Sequence, residues 1–404
     1  MNLTSPKNWK THSIYSLAQW VNGLAFKAED FSKKGTGLPV IKINELKSSV
    51  NDQTAYTEKE FDAKYLLQKG DMLFSWSGSP ETSIDIYWYQ FTNGWLNQHI
   101  FKVISDDKLV DKNFFYYLLK SQKPVFIHLA KQRQTTGLGH VTASDLKELQ
   151  VSIPESLEEQ REIAAILGSL DDKIELLRRE NKTLESIAQT LFKEWFVDFR
   201  FPGYKKLKIV NGLPEGWKVG RLGDVLKLPS GFAFKSGTFS KDGKYRLVTI
   251  TNVKNGYFEN KTAEGINELP KNMPEYCRLG TGDVLLSLTG EVGRVCIVFG
   301  ENYVLNQRVS KIEPLLLQNK VFVYFLMRSK EISDQMQSIA VGAVQQNLSP
   351  VKALDIETVV PDEKCLQLFS EVANPMFDKL ISNIQEIQTL SRLRDDLLNK
   401  IFSE

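Results

Sequence analysis

The most regular hydrophobic pattern in the chain is a seam. Ile163, Leu167, Leu170, Ile174, Leu177, Asn181, Leu184, Ala188, Leu191 and Trp195 follow one another at alternating spacings of four and three. That 3.5-residue period predicts a helix with one narrow apolar stripe of the coiled-coil kind, interrupted by a single Asn. Ser156-Leu157-Glu158-Glu159 predicts where it starts, because a hydroxyl at the N-cap and a carboxylate three residues later satisfy free backbone donors. With no Pro from Glu155 to Phe201, about 40 residues at ~1.5 Å each make a rod of roughly 60 Å. A second seam runs through Met376, Leu380, Asn383, Ile387, Leu390, Arg394, Leu397 and Ile401, again at four and three. Asn374-Pro375 is the expected N-cap and first helical residue of that second helix.

Facing positions in an antiparallel pair have residue numbers that add to a constant. Setting Ile163 opposite Ile401 fixes the constant at 564 and places Leu167 opposite Leu397, Ile174 opposite Leu390, and Leu177 opposite Ile387. Asn181 then faces Asn383, and a paired seam Asn fixes register. Leu170 opposite Arg394 is the weak layer. The expectation is an intramolecular antiparallel coiled coil. The competing arrangement packs each seam on another protein or on the globular parts of the chain.

Outside the seams the pattern changes to short apolar runs between polar stretches, and it occurs twice. Trp9-Lys10 matches Trp217-Lys218, and Gly23-Leu24-Ala25-Phe26-Lys27 matches Gly231-Phe232-Ala233-Phe234-Lys235. Gly70-Asp71-Met72-Leu73-Phe74-Ser75 matches Gly282-Asp283-Val284-Leu285-Leu286-Ser287, and Leu96-Asn97-Gln98-His99 matches Leu305-Asn306-Gln307-Arg308. Tyr116 to Ser121 matches Tyr324 to Ser329, and Ile153-Pro154 matches Val360-Pro361. Six matches in one order, at offsets of 207 to 212, define a tandem duplication of a globular lobe followed by a helical tail. The period is far too long for a solenoid. The Gly-Asp pairs read as turns feeding strands, and Asn113–Ser121 and Lys320–Ser329 as short amphipathic helices, so each lobe is mixed α/β.

Charge follows the same division. The net +2 of the 404-residue chain separates into +3 over residues 1–150, +6 over 201–360, and −7 over the two tails together. Two basic lobes alternating with acidic segments are compatible with a polyanion-binding surface, although such values also occur in proteins that bind none. Hydrophobic residues at 42% and charged residues at 25% exclude a mostly disordered chain. No apolar run approaches the roughly 18–20 residues of a membrane span, the best being Val321 to Met327. The N-terminal residues lack a signal-like stretch, and Cys277, Cys296 and Cys365 form neither a disulfide framework nor a zinc spacing. A cytoplasmic protein is expected.

With two diverged lobes, each trailed by a long helix, the chain resembles the specificity (S) subunit of type I restriction-modification systems. The resemblance rests on Ile153-Pro154, Glu159-Gln160, Ile163, Ile166-Leu167, Leu170-Asp171, Lys173-Ile174 and Leu191-Phe192-Lys193 with Trp195-Phe196. Leu213-Pro214-Glu215-Gly216-Trp217-Lys218 and Gly342-Ala343-Val344-Gln345-Gln346-Asn347-Leu348-Ser349 add to it. The first lobe departs from it, opening on Ser5-Pro6-Lys7-Asn8-Trp9 and carrying Gly137-Leu138-Gly139-His140-Val141-Thr142 in place of the Gln-rich segment. The resemblance implies target recognition domains at 1–154 and 201–361, and conserved helical regions at 155–200 and 362–404 that form the coiled coil. It implies that each domain reads one half of a bipartite, asymmetric site in double-stranded DNA. The coiled coil would set the half-site spacing and dock methylation (M) subunits, with restriction (R) subunits joining through the assembled complex. That complex would be a type I site-specific deoxyribonuclease and adenine DNA methyltransferase, while this chain would be non-catalytic, with no cofactor. A coiled-coil adaptor whose lobes bind protein is the alternative.

The residues offer little else for catalysis. There is no Gly-x-x-x-x-Gly-Lys-Ser/Thr loop for a nucleotide. Asn374-Pro375-Met376-Phe377 lacks the second Pro of an amino-methyltransferase signature. Pro361-Asp362-Glu363-Lys364 reads better as a helix start than as a nuclease motif, and His12, His99, His128 and His140 show no ligand spacing. Candidate DNA contacts are drawn from residue type and loop position. Lys27 and Lys235 suit phosphate neutralisation, or simple solvation beside an anchoring Phe. His99 and Arg308, which differ between lobes, suit base readout, whereas the recurring Asn97-Gln98 and Asn306-Gln307 suit scaffold or readout equally. Arg133, Gln134, Thr135, Thr136 and His140 form a polar loop with Lys131 in the first lobe, and Arg294, Gln345, Gln346 and Asn347 correspond in character in the second. Trp76 fits a core aromatic better than a surface wedge.

Overall fold

The structure is a computed structural model that describes residues 9–134, 137–260, 264–342 and 346–402. It divides into two compact units, one of residues 1–173 with 390–404 and one of residues 174–389.

In the first unit, strand Trp9–Ser13 pairs antiparallel with Gln150–Pro154, so the beginning and end of the lobe meet. Between them lies an antiparallel sheet in the order Ala18–Asn22, Ile100–Ser105, Met72–Ser75, Asp85–Trp88. A second sheet has the order Tyr56–Thr57, Leu38–Ile41, Gly94–Leu96, Leu66–Leu67, with Leu38–Ile41 parallel to Gly94–Leu96. Helices Lys112–Ser121 and Lys123–Gln132 follow. The first is capped by Asp111, and the second starts with Pro124 in its first turn. Phe114, Phe115, Leu118, Leu119 and Phe126 form a core with Ile14, Leu17, Met72, Phe74, Ile86 and Val103.

The second unit repeats this plan. Lys218–Arg221 pairs with Glu357–Val360. One sheet runs Leu226–Lys227, Val309–Pro314, Val284–Ser287, Val295–Ile297, and the other Gly265–Ile266, Tyr245–Val248, Tyr303–Leu305, Arg278–Leu279. Tyr245–Val248 is again parallel to Tyr303–Leu305, and helices Lys320–Arg328 and Lys330–Ile339 again follow. The Gly-Asp turns are built alike. Gly70 and Gly282 sit at φ 93° and 92°, a region that favours glycine. Asp71 accepts from Gln68 N at 2.8 Å and pairs with Lys102, while Asp283 accepts from Gly280 N at 2.9 Å and pairs with Lys311.

The first tail helix spans Leu157–Phe192 and ends in a single π turn, Lys193–Val197. Ser156 Oγ accepts from Glu159 N at 3.3 Å, and the Glu159 carboxylate accepts from the Trp9 indole at 3.2 Å. The second tail helix spans Glu363–Phe402. Its start corrects the expectation at Asn374-Pro375: Asp362 is the cap, accepting from Cys365 N at 2.7 Å, and Pro375 lies inside the helix. An interior Pro costs about 3 kcal/mol. The burial of Cys365, Leu366, Phe369, Ala373 and Phe377 on either side carries the helix through it.

Within the first unit, Ile163, Ala164 and Leu167 pack with Leu397, Leu398 and Ile401. The weak layer at Leu170 is relieved by its neighbour, because Arg394 donates to Asp171 Oδ1 at 2.7 Å and Tyr117 donates to Asp171 Oδ2 at 2.9 Å. Within the second unit, Ile174, Leu177 and Leu380 are buried, and Leu184 and Ile387, like Leu170 and Leu390 in the first, are half-buried. Asn383 is fully buried and donates to Asn181 Oδ1 at 2.9 Å and to Glu180 Oε2 at 3.0 Å. The fold is mixed α/β, with two lobes of one topology, and within each unit the two tail helices meet antiparallel, Asn181 against Asn383 in the second as the register with sum 564 requires. No helix among the described residues is long and apolar enough to cross a membrane.

Candidate nucleic-acid interface

The residues that differ most between the lobes sit on a backbone frame that does not differ. Leu24 N donates to Leu96 O at 2.9 Å and Gln98 N to Leu24 O at 2.8 Å. Phe232 N donates to Leu305 O at 2.9 Å and Gln307 N to Phe232 O at 3.1 Å. These bonds stitch the segment leading to Lys27, or Lys235, onto the turn that carries His99, or Arg308. Only glycine fits at the crossing: a Cβ at Gly23 would lie 2.2 Å from Asn97 O, and one at Gly231 would lie 2.3 Å from Asn306 O. Asn97 and Asn306 close their own turns, accepting from His99 N at 3.4 Å and Gln307 N at 2.7 Å. Both Asn residues are therefore scaffold.

A third segment joins the turn. In the first lobe, Trp76 N donates to His99 O at 3.3 Å, Val141 N donates to Trp76 O at 2.8 Å, and His140 pairs with Ser77. In the second, Leu288 N donates to Arg308 O at 3.1 Å, Leu348 N donates to Leu288 O at 2.8 Å, and Asn347 pairs with Thr289. His140 and Asn347 thus occupy one position in two lobes, within the segments that stand in for one another in the sequence. They share no letter, but each is followed by an apolar residue and a hydroxyl that caps a helix, Val141-Thr142 and Leu348-Ser349, and the backbone bonds establish the match.

Different side chains stand on this frame. In the first lobe Trp76 is half-buried, with its ring 5.9 Å from His99, 5.7 Å from Phe101 and 6.2 Å from His140, and its indole N–H donating to Asn22 at 3.1 Å. It packs, half-buried, against the edge of the core and is not a free wedge. Gln98 lies 3.2 Å from the His99 ring nitrogen. Burial, and secondarily the nearby His140, hold the His99 imidazole below its ordinary pKa, which favours the neutral ring. In the second lobe Asn347 Oδ1 accepts from Thr289 Oγ1 at 2.8 Å and from Arg308 at 3.1 Å.

The remaining candidates are placed as follows. Lys27 and Lys235 are exposed. Arg133 is drawn onto Asp145, a buried carboxylate that also caps the helix after Thr142, at 2.7 Å. Arg294 is paired with Glu291. Gln134 and Gln346 are exposed, and Gln346 O accepts from Gly290 N at 3.0 Å. Thr135, Thr136 and Gln345 lie outside the described residues. Sequence reasoning missed a basic cluster in the first lobe, where Lys120 and Lys123 both bind Asp85, at 2.8 and 2.6 Å, and Lys47 lies 3.4 Å from Ser83 Oγ. Burial pushes the Asp85 carboxyl up, but Lys120 and Lys123 outweigh it and hold it below the ordinary range. No spacing rule marked it, because Lys120 closes one helix and Lys123 opens the next.

Chemistry of other kinds finds little footing. Among the described residues no group of three or more His, Cys, Asp or Glu is arranged to hold a metal ion. The three cysteines are buried, and burial raises all three thiols, Cys365 to about 12.

Two lobes of one topology, presenting unlike polar pairs on a common frame and each followed by a long helix, define a duplicated recognition protein. The chain belongs to the type I restriction modification DNA specificity domain family, whose model matches residues 6–186 and 214–367, and its function is that of a type I restriction-modification specificity subunit. It is 27% identical to the type I restriction enzyme MjaIX specificity subunit of Methanocaldococcus jannaschii, over 98% of this chain and 93% of that protein. It is 24% identical to the HindI specificity subunit of Haemophilus influenzae, over 84% of this chain and 87% of that protein. Its fold is similar to the crystal structure of a type I restriction-modification system S subunit from M. genitalium, with a TM-score of 0.61 and 21% identity over 100% of this chain and 98% of the other.

Proposed function

We propose that the lobes at 1–154 and 201–361 are two target recognition domains, each reading one half of a bipartite site in double-stranded DNA. The helical regions at 155–200 and 362–404 set the separation of the half-sites and dock the methylation subunits, and restriction subunits join the assembled complex. The chain itself carries no catalytic step. The observation that supports this reading best is the common frame bearing His99 with His140 in one lobe and Arg308 with Asn347 in the other. A duplicated catalyst would repeat its reacting side chains. A pair of readers facing different half-sites repeats the frame and varies the side chains that meet base edges. On this reading Lys27 and Lys235, with Gln134 and Gln346, take phosphate and flanking contacts, while Arg133 and Arg294, whose charges are met by Asp145 and Glu291, hold their loops.

The test is binding by the full chain assembled with its methylation subunits. Affinity for a duplex carrying the target should fall steeply as salt rises, because neutralised phosphates release counterions. Replacing residues 1–154 with the corresponding lobe of another specificity subunit should change one half of the methylated sequence and leave the other unchanged. A flat salt response favours a protein-binding adaptor, and a change in both halves removes the one-lobe, one-half-site assignment.

A further inference from the structure

Three arginines stand among the candidate contacts, and their surroundings separate them. Arg133 is bonded to Asp145 and Arg294 to Glu291, so both charges are met inside the protein. Arg308 is exposed, and among the described residues no carboxylate lies within ion-pairing distance of it. Its side-chain partner among the described residues is neutral: Nη1 donates to Asn347 Oδ1 at 3.1 Å. Asn347 is in turn held by the hydroxyl of Thr289 at 2.8 Å, and Thr289 is buried on the strand end that pairs with Asn347. The guanidinium is therefore steadied through an amide anchored to the sheet and keeps its full charge and most of its five N–H donors.

A phosphate contact needs charge but little orientation. Planar, two-bond recognition needs the guanidinium plane held in place, and that is what a neutral orienting partner provides. The base edge that offers two adjacent acceptors to a guanidinium is guanine, through O6 and N7 in the major groove. Resting on the reading of the lobes as half-site readers, we infer that Arg308 selects a guanine in the half-site of the second lobe, with Asn347 as its positioning residue. The first lobe, with His99 and His140 at the equivalent positions, lacks this selector.

The experiment is selection from a randomised duplex library by the full chain assembled with its methylation subunits, comparing wild type, R308A, R308K, N347A and the transplant H99R/H140N. Wild type should show a guanine preference in one half-site, and R308A should lose it there by about 5- to 150-fold, the discrimination typical of one bidentate contact. R308K keeps the charge and should lose the same preference with little change in salt slope. N347A should weaken the preference at that position and no other. H99R/H140N should add a guanine preference to the opposite half-site. If R308A lowers binding evenly across the library, Arg308 is a phosphate contact and the inference fails while the half-site reading survives. The same holds if R308A changes nothing but substitutions at His99 and His140 alter one half-site. If neither pair affects any position, the half-site reading itself falls. Circular dichroism of each variant checks folding, and R308K supplies the answer should R308A fail that check.

Discussion

Asn383 occupies the centre of the helix seam, and its replacement by leucine should make the protein more stable. The side chain is fully buried. Its amide donates to Asn181 and to Glu180, but its own carbonyl oxygen is buried with no partner among the described residues. Losing the Asn181 bond costs about 1 kcal/mol. The Glu180 bond costs less than a buried charged bond would, because that side chain is 39% exposed and returns to water. Against this, removing an unsatisfied buried oxygen recovers about 1–3 kcal/mol, and burying a leucine side chain of similar volume adds about 1.5–3 kcal/mol, reduced by imperfect fit. The expected net gain is about 1–2 kcal/mol, seen as a rise in the urea midpoint followed by circular dichroism. N181L/N383L should gain at least as much, since it leaves no seam amide behind. N383D should lose about 3 kcal/mol or more, because it buries a carboxylate beside Glu180. In N181L/N383L the gain should carry a penalty in uniqueness: a Leu–Leu layer no longer fixes register or partner, so light scattering should find mixed association states. A stability loss above about 1 kcal/mol in N383L, with a single monomeric species in N181L/N383L, would refute the view that the pair fixes register at the expense of stability.

Other substitutions test the frame and the charges. G231A should destabilise by about 1–3 kcal/mol or more, since a Cβ 2.3 Å from Asn306 O forces the Arg308-bearing turn to move, and thermal melts read this directly. D171N removes the charge that meets Arg394 across the seam, leaving it Asp395 alone, and should cost about 1 kcal/mol in urea titration, a value tempered by the partial exposure of both groups. His99 is held below its ordinary pKa, so the unfolded chain binds more protons than the folded one as pH falls through about 6.5. Stability should therefore be unaffected by His99 at high pH and should decline on acidification, and H99Q should flatten that decline in melts between pH 7.5 and 5.5. DNA phosphates favour the charged imidazole, so affinity should strengthen on the same acidification, by at most tenfold per pH unit for one proton, and H99Q should remove that contribution.

The seam was the most legible part of the chain because a 3.5-residue period survives as spacing alone. Its register was legible because each stripe carries one Asn, and an isolated polar residue in such a stripe has one good partner. The second helix's beginning carried two start signals: Pro361-Asp362-Glu363-Lys364 marks the true one, whereas Asn374-Pro375 is a strong local signal overridden by the burial of Cys365, Leu366 and Phe369, a property of packing. The strands of the lobes were visible chiefly through repetition: Gly-Asp turns and Leu-Asn-Gln triplets recur because φ near 90° and self-closing Asn turns restrict the residue type. Helices Lys123–Gln132 and Lys330–Ile339 passed unread, since they follow their predecessors with almost no break. The segments holding His140 and Asn347 were matched in the sequence, but not residue by residue. Backbone N–H and C=O groups hold that position and impose no letter on it, so only the capping residues that follow, Thr142 and Ser349, mark the alignment.

On the proposed half-site reading, this division between restricted and unrestricted positions accounts for how two lobes of one topology would read different sequences. At Gly23 and Gly231 a single methyl group collides with backbone, so the frame tolerates no drift. At His99 and Arg308 the side chain is exposed while the backbone bonds to residue 76 or 288 are made by atoms every residue has. Substitution there is nearly free of folding cost, within about ±0.5 kcal/mol for an exposed site, and changes only what the lobe offers to a ligand. Arg308 goes one step further: Asn347 arrives from a different segment, so the reader and its positioning residue vary independently while the frame keeps them in reach. A recognition surface made this way changes specificity by side-chain replacement alone. The steric and hydrogen-bonding constraints that give the lobe its shape fall on other residues.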